Sequence, residues 1–167
     1  GAYDCITAFL IQKAGFSAVY VTGAGVSLSL LGQPDLNTVS YLEFKERVDN
    51  ICSMVNIPVI ADIDTGFGGP LNIIRIVKDF ERMGVAGIQI EDQRMQTIYE
   101  NRSGINGIVI IARTDSRTEF GLDEAIQRSN YYLESGADVV FIESPINLEE
   151  AIRIGREVKG PVLFNNV

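Results

Sequence analysis

Val59-Ile60-Ala61-Asp62-Ile63-Asp64 is an apolar, β-branched run that ends on two acids, and the turn-forming stretch Thr65-Gly66-Phe67-Gly68-Gly69 follows it. A run this short, stopped by glycines, reads as a buried strand. The same form recurs at Ala18-Val19-Tyr20-Val21-Thr22, Gly87-Ile88-Gln89-Ile90-Glu91-Asp92 and Ile108-Val109-Ile110-Ile111-Ala112-Arg113-Thr114-Asp115. It recurs again at Asp138-Val139-Val140-Phe141-Ile142-Glu143 and Pro161-Val162-Leu163-Phe164-Asn165, with Gly1-Ala2 as the stub of another. Amphipathic stretches alternate with these runs, so the pattern is β-α-β repeated about a parallel sheet. Nearly every strand carries its polar residue at the carboxyl end. The arrangement that makes those ends converge is a (β/α)8 TIM barrel, whose active site lies at that face.

A complete eightfold barrel takes at least about 200 residues. This chain has 167. The expectation is therefore one (β/α)-barrel domain over residues 1–167, incomplete, with the first strand and the last βα unit lying outside it. Caps and stops set the helices. Asp4 precedes the run Cys5 to Ala14 and Gly15 ends it; Ser40 opens a stripe of Leu42, Phe44, Val48, Ile51, Cys52 and Val55. Leu71 to Met83, Leu122 to Ser135 and Leu148 to Val158 repeat the scheme, with Gly84, Gly136 and Gly160 after them.

Bulk charge narrows the partners. With 14 Lys+Arg against 22 Asp+Glu, the net charge of −8 argues against a nucleic-acid surface, which rests on clustered Lys and Arg. No apolar run approaches the roughly 18 residues of a membrane span. Only Cys5 and Cys52 are thiols; in helix-like apolar segments they read as small buried hydrophobes, and a cytoplasmic setting fits them.

Side-chain parity sharpens the chemistry. Residues two apart on a strand share a face, which pairs Asp62 with Asp64, Gln89 with Glu91 and Arg113 with Asp115. Several carboxylates then crowd one rim. Oxygen ligands of this kind suit a hard divalent cation, Mg²⁺ in preference to Zn²⁺, and the chain has no His to act as zinc ligand or general base. Taken singly, Asp92 and Asp115 read equally well as N-caps of following helices. Asp62 and Asp64 together do not, because one cap cannot use both. Thr22-Gly23-Ala24-Gly25 reads as a turn whose backbone N–H groups can approach a carboxylate, and Leu31-Gly32-Gln33-Pro34-Asp35 as a loop whose acid is either a turn residue or another rim carboxylate.

Gly1-Ala2-Tyr3-Asp4, Tyr20-Val21-Thr22-Gly23-Ala24-Gly25, Leu31-Gly32-Gln33-Pro34-Asp35, Ala61-Asp62-Ile63-Asp64-Thr65-Gly66-Phe67-Gly68, Ile90-Glu91-Asp92-Gln93, Ala112-Arg113-Thr114-Asp115 and Glu119-Phe120-Gly121-Leu122-Asp123-Glu124-Ala125 occur in this order and spacing. Together they resemble the isocitrate lyase/phosphoenolpyruvate mutase superfamily, in its 2-methylisocitrate lyase-like branch. The resemblance implies a Mg²⁺-dependent carbon–carbon lyase, Mn²⁺ being a possible substitute, that cleaves a 2-hydroxy di- or tricarboxylate through a pyruvate-like enolate. Oxaloacetate hydrolysis or decarboxylation, phosphonomutase chemistry and an inactive 2-oxo acid-binding barrel are the alternatives.

It also implies roles. Asp62 would bind the metal, and Asp35, Asp64 and Glu91 would hold its water ligands. Thr22, Gly23 and Ala24 would grip a substrate carboxylate with Tyr20 beside them, Arg113 would meet substrate oxygen, and Glu143 and Asn165 would line the pocket. The general base is open among Tyr20, a rim carboxylate and metal-bound hydroxide. Lyases of this kind assemble as homo-oligomers, often dimers of dimers, and follow Glu-Asp-Gln with a Lys/Cys/Gly-rich gating loop. Here Gln93 runs straight into Arg94-Met95-Gln96-Thr97-Ile98-Tyr99-Glu100, which reads as the later part of a helix. The expectation is a longer protein, with residues before Gly1, between Gln93 and Arg94 and after Val167.

Overall fold

The computed structural model describes residues 1–92 and 107–165. The expected junction between Gln93 and Arg94, the helix read after it, and Asn166-Val167 lie outside the described residues. Among those described, six strands form one sheet, β1 (Val19–Val21), β2 (Val59–Asp62), β3 (Gly87–Glu91), β4 (Val109–Thr114), β5 (Val139–Ile142) and β6 (Val162–Leu163), in the order β1-β2-β3-β4-β5-β6. Every neighbouring pair is parallel. Sequential parallel order is what β-α-β connections produce when each crossover turns the same way, and here it gives a curled half-barrel. Gly1-Ala2 takes the position of a further strand: Ala2 bridges Val21 in parallel, donating its N–H to Tyr20 and accepting from Thr22.

Seven helices among the described residues surround the sheet: α1 (Cys5–Lys13), α2 (Gly23–Leu31), α3 (Tyr41–Met54), α4 (Pro70–Arg82), α5 (Ser116–Phe120), α6 (Leu122–Glu134) and α7 (Leu148–Glu157). Five match the sequence reading to within a residue or so. Asp4 with Thr7 and Ser40 with Glu43 form reciprocal capping boxes, so the start of α1 and of α3 is fixed by local hydrogen bonds. The other two go beyond that reading: α2 begins where a simple turn was expected, and the single-turn α5 follows Asp115 directly.

Strand alternation divides the interior into two layers. Val19, Val21, Val59, Ala61, Ile88, Ile90, Ile110, Ala112, Val140 and Ile142 point outward into one continuous core with Phe44, Ile51, Ile73, Val77, Phe80 and Ile126 of the helices. Tyr20, Asp62, Gln89, Glu91, Arg113 and Phe141 point the other way, toward the barrel axis. Cys5 and Cys52 are half-buried against the core, less enclosed than expected, and burial lifts the Cys52 thiol to about 11.

Candidate active site

The inward side chains meet at the carboxyl ends of the strands around a cavity of about 510 Å³. Gly1, Tyr20, Thr22, Ala24, Asp35, Asp62, Asp64, Gln89, Glu91, Arg113 and Asn165 line it, closed on one side by Phe141, Leu163 and Phe164. Among the described residues, four acids therefore face one arginine. Asp35 arrives from the loop after α2, which is folded back by Ser27: its hydroxyl donates to the carbonyls of Gln33 (3.1 Å) and Pro34 (3.2 Å). The loop reading holds from Gly32 on; Leu31 is the last residue of α2, which Gly32 ends in the left-handed conformation.

Asp62 and Asp64 both reach the cavity, though not by strand parity. β2 stops at Asp62, and Asp64 sits in the following turn at φ 47°, a left-handed conformation unusual for a residue with a side chain. Its N–H reaches back to Asp62 Oδ1 at 3.3 Å. Phe67 fastens this turn from behind, its ring 5.5 Å from Phe44 and 6.0 Å from Tyr41. Gly66, at φ 86°, lies so close to Ile73 that a Cβ would fall 2.5 Å from Cγ1. Packing between β2 and α4, and not strand geometry, aims Asp64.

The acids sit uneasily together. Burial, then Asp62, Asp35 and Glu91 in that order, push Asp64 up to about 8. Burial, with Asp115 and Asp62 beside it, lifts Glu91 to about 7 against the pull of Arg113. Asp62, 8% exposed, is also raised, by burial above all. The surroundings thus disfavour the charged forms, and a cation among the oxygens would reverse this. A Cβ on Gly23 would lie 2.9 Å from Asp64 Oδ1 and 3.4 Å from Asp35 Oδ2, so the glycine lets these two carboxylates close on the start of α2. Among the described residues no three acidic side chains come close enough to share an ion directly. An all-oxygen set of this kind fits a cation held by few carboxylates plus waters and substrate, the habit of Mg²⁺.

Arg113 is the cationic counterweight. It contacts Asp115 Oδ1 at 3.0 Å, Glu143 Oε2 at 3.4 Å and Glu91 Oε1 at 3.6 Å, and lies 5.4 Å from the ring centre of Phe141. Asp115 stands just beyond β4 and does not line the cavity. It occupies the N-cap position of α5 without making a capping bond and serves Arg113 instead. Glu143 likewise reaches the site only through Arg113. Asp92, the other acid weighed as a cap, faces outward and accepts from Thr114, Tyr132 and Arg128.

Thr22 is the N-cap of α2, its Oγ1 accepting from Gly25 at 3.3 Å. The expected turn is thus the first turn of a nine-residue helix, whose Gly23 and Ala24 N–H groups no helical carbonyl takes. Gly23 does not line the cavity with a side chain; it supplies closeness. Tyr20 donates its phenolic hydrogen to Gln89 Oε1 at 2.5 Å, and Gln89 Nε2 donates to Asp62 Oδ1 at 2.9 Å. Burial and Asp62 push the Tyr20 phenol far above its ordinary range. The sequence reading placed Gln89 on the right face but gave it no role, and it missed Phe141, Leu163 and Phe164, whose apolar character alone does not distinguish inward from outward positions.

The family model for phosphoenolpyruvate phosphomutase matches residues 1–166. The chain belongs to this family, within the PEP mutase/isocitrate lyase superfamily. The 2,3-dimethylmalate lyase of Eubacterium barkeri is 42% identical, covering 100% of this chain and 65% of that protein. The 2-methylisocitrate lyase of Halalkalibacterium halodurans is 38% identical, covering 99% and 61%. A crystal structure of 2,3-dimethylmalate lyase superposes with a TM-score of 0.92 at 37% identity, covering 100% of this chain and 65% of that one. Phosphonopyruvate hydrolase complexed with oxalate and Mg²⁺ superposes with a TM-score of 0.87 at 31% identity, covering 96% and 63%. The chain spans 59% to 65% of the length of the first curated relatives it matches. No helix among the described residues is long and apolar enough to cross a membrane.

Proposed function

We propose that this chain is the greater part of a single (β/α)8-barrel domain in a divalent-cation-dependent carbon–carbon lyase. Its substrate would be a 2-hydroxy di- or tricarboxylate of the dimethylmalate or 2-methylisocitrate type. The observation that carries the reading is the imbalance at the cavity, where, among the described residues, Asp35, Asp62, Asp64 and Glu91 face Arg113 alone. A polyanionic substrate would find Arg113 as its one counter-charge among those residues, and a cation among the acids would hold them ionised and supply the rest. Asp62 would hold that cation, with Asp35, Asp64 and Glu91 arranging the water around it. Bound there, Mg²⁺ would supply a positive charge for the substrate hydroxyl oxygen as its proton leaves; as the C–C bond breaks that oxygen becomes the carbonyl of the 2-oxo acid and the electron pair passes to the other fragment.

The protein's own groups then have defined tasks. The Gly23 and Ala24 N–H groups at the start of α2, with the Thr22 hydroxyl, are placed to take a carboxylate of the 2-oxo acid half. Arg113, braced by Asp115 and Glu143, offers charge-assisted hydrogen bonds to the developing enolate oxygen. Tyr20 is poorly suited to serve as a phenolate base, because its proton is held by burial and by Gln89. A rim carboxylate or a water it holds is better placed to take the hydroxyl proton. Phe141, Leu163 and Phe164 give the substrate an apolar wall, which supports a methyl-bearing substrate over an unsubstituted one such as oxaloacetate.

A second reading, a barrel that binds 2-oxo acids without turning them over, has one observation in its favour. The alignment with the dimethylmalate lyase of E. barkeri runs over 188 residues, whereas this chain has 167. Assembly into a homo-oligomer belongs to the lyase proposal.

Steady-state assays of the full-length protein against 2,3-dimethylmalate, 2-methylisocitrate, oxaloacetate and phosphonopyruvate, with Mg²⁺ or with chelator, decide between the readings. Turnover of one of the first two, abolished by chelation and reduced about a thousandfold by Asp62→Ala, is the expected result. Activity that survives thorough chelation removes the metal from the mechanism. No turnover, combined with Mg²⁺-dependent oxalate binding in a calorimeter, makes the chain a binding barrel.

A further inference from the structure

Gln89 is wholly buried in the middle of β3, a place where an amide is tolerated only if its hydrogen bonds are met. Both ends are met, and by two groups of the site. Its carbonyl oxygen accepts the Tyr20 hydroxyl hydrogen at 2.5 Å; its amide nitrogen donates to Asp62 Oδ1 at 2.9 Å. Tyr20, Asp62 and Gln89 come from three adjacent strands: Asp62 pairs directly with Gln89, and Tyr20 pairs with Ile60, two residues before Asp62 on the same face of β2. The reversed amide would set its oxygen against the Asp62 carboxylate, so the pairing also fixes which way Gln89 faces.

Two consequences follow. Asp62 Oδ1 receives both the Gln89 amide and the Asp64 N–H, so the carboxylate cannot rotate freely and would be held ready for a cation. Tyr20 has one hydrogen, and Gln89 Oε1 and Asp62 are both within its reach. Held by Gln89 at 2.5 Å, that hydrogen leaves the phenol a lone pair with which to accept from a substrate hydroxyl.

We infer that Gln89 is a positioning residue of this site, a neutral clamp that presents Asp62 to the cation and the Tyr20 lone pair to the substrate hydroxyl. The inference rests on the cation-dependent reading above. An amide suits the place better than an acid would. A glutamate at this position would accept from Tyr20 equally well, but it would have no hydrogen for Asp62 and would add another negative charge to the four acids of the cavity. A hydrophobe of the same length would satisfy neither neighbour.

The test is Mg²⁺ titration calorimetry on the full-length protein, alongside thermal melting, for wild type, Gln89→Leu, Gln89→Glu and Gln89→His. Neutral imidazole has one donor and one acceptor and serves as the conservative replacement. Gln89→Leu and Gln89→Glu are expected to weaken Mg²⁺ about tenfold to a hundredfold, the range for residues that orient a metal's ligands, with Gln89→His close to wild type. Should Gln89→Leu fail to fold, the comparison of Gln89→Glu with Gln89→His carries the result. Wild-type Mg²⁺ affinity in folded Gln89→Leu or Gln89→Glu, with only the melting temperature lowered, makes Gln89 merely structural and overturns the inference. Absence of Mg²⁺ binding in wild type overturns instead the reading on which it rests.

Discussion

Glu91 and Asp92 leave β3 on opposite faces, and the two sides of that strand end treat a carboxylate differently. Outside, Asp92 is 9% exposed and takes hydrogen bonds from Thr114, Tyr132 and Arg128 under α6. Its charge is answered by the protein itself. Inside, Glu91 shares Arg113 with Asp115 and Glu143 and faces three further acids, and it is pushed up to about 7. A carboxylate whose charge its neighbours answer holds the fold together; a cluster of carboxylates set around one arginine leaves charge for something else to answer. Adjacent residues of the same chemical type thus divide into structure and function by which way the strand turns them.

That contrast is tested most directly by removing charge on each side in turn. Asp64→Asn should weaken Mg²⁺ by about tenfold or more while raising the melting temperature of the metal-free protein, because it relieves repulsion among buried acids. Asp92→Ala should do the reverse. It removes the acceptor that Thr114, Tyr132 and Arg128 share, although Thr114 keeps Ser116 and Arg128 keeps Glu124, costing about 1–2 kcal/mol in denaturant unfolding, with Mg²⁺ affinity within about threefold of wild type. Equal effects of the two variants on metal affinity would erase the distinction.

Gly23→Ala probes the inner side by crowding instead of charge. Its new methyl would lie 2.9 Å from Asp64 Oδ1, so calorimetry should find Mg²⁺ weakened, though less than by Asp64→Asn, with the melting temperature nearly unchanged.

Acidity marks the inner side as well. Asp64 near 8 and Glu91 near 7 hold protons more tightly in the folded protein than the ordinary carboxylates of the unfolded chain. Their contribution to stability is full below about pH 4 and is lost as pH rises toward 8. Melting curves of the metal-free protein should therefore fall by several degrees between about pH 5 and pH 8.5, and saturating Mg²⁺ should flatten the slope. A metal-free melting temperature that rises over this range would show the inner acids to be satisfied already. The smallest effect lies on the outer side. Ser129 is fully buried on α6 with no partner for its hydroxyl among the described residues, so Ser129→Ala should add up to about 1 kcal/mol to unfolding and leave metal affinity alone.

The repeating strands and five of the helices were legible in the bare sequence, since period, capping boxes and glycine stops act within a few residues. Asp4 with Thr7 and Ser40 with Glu43 need no tertiary contact to start a helix. Asp62 and Glu91 were legible at the rim, because strand ends in a parallel barrel converge; Asp35, on a loop, was left open by spacing, and Glu143, expected to line the pocket, stands behind Arg113. How those acids are aimed came from the folded chain alone. Asp64 points inward through a left-handed turn wedged by Phe67, which parity cannot foresee. Asp115 and Glu143 turned out to brace Arg113. Gln89 acquired its contacts from Tyr20, 69 residues away, and Asp62, 27 residues away. The difference is one of range: propensity and caps are settled between near neighbours, whereas a buried hydrogen bond or an unanswered charge depends on groups that meet only when the sheet curls.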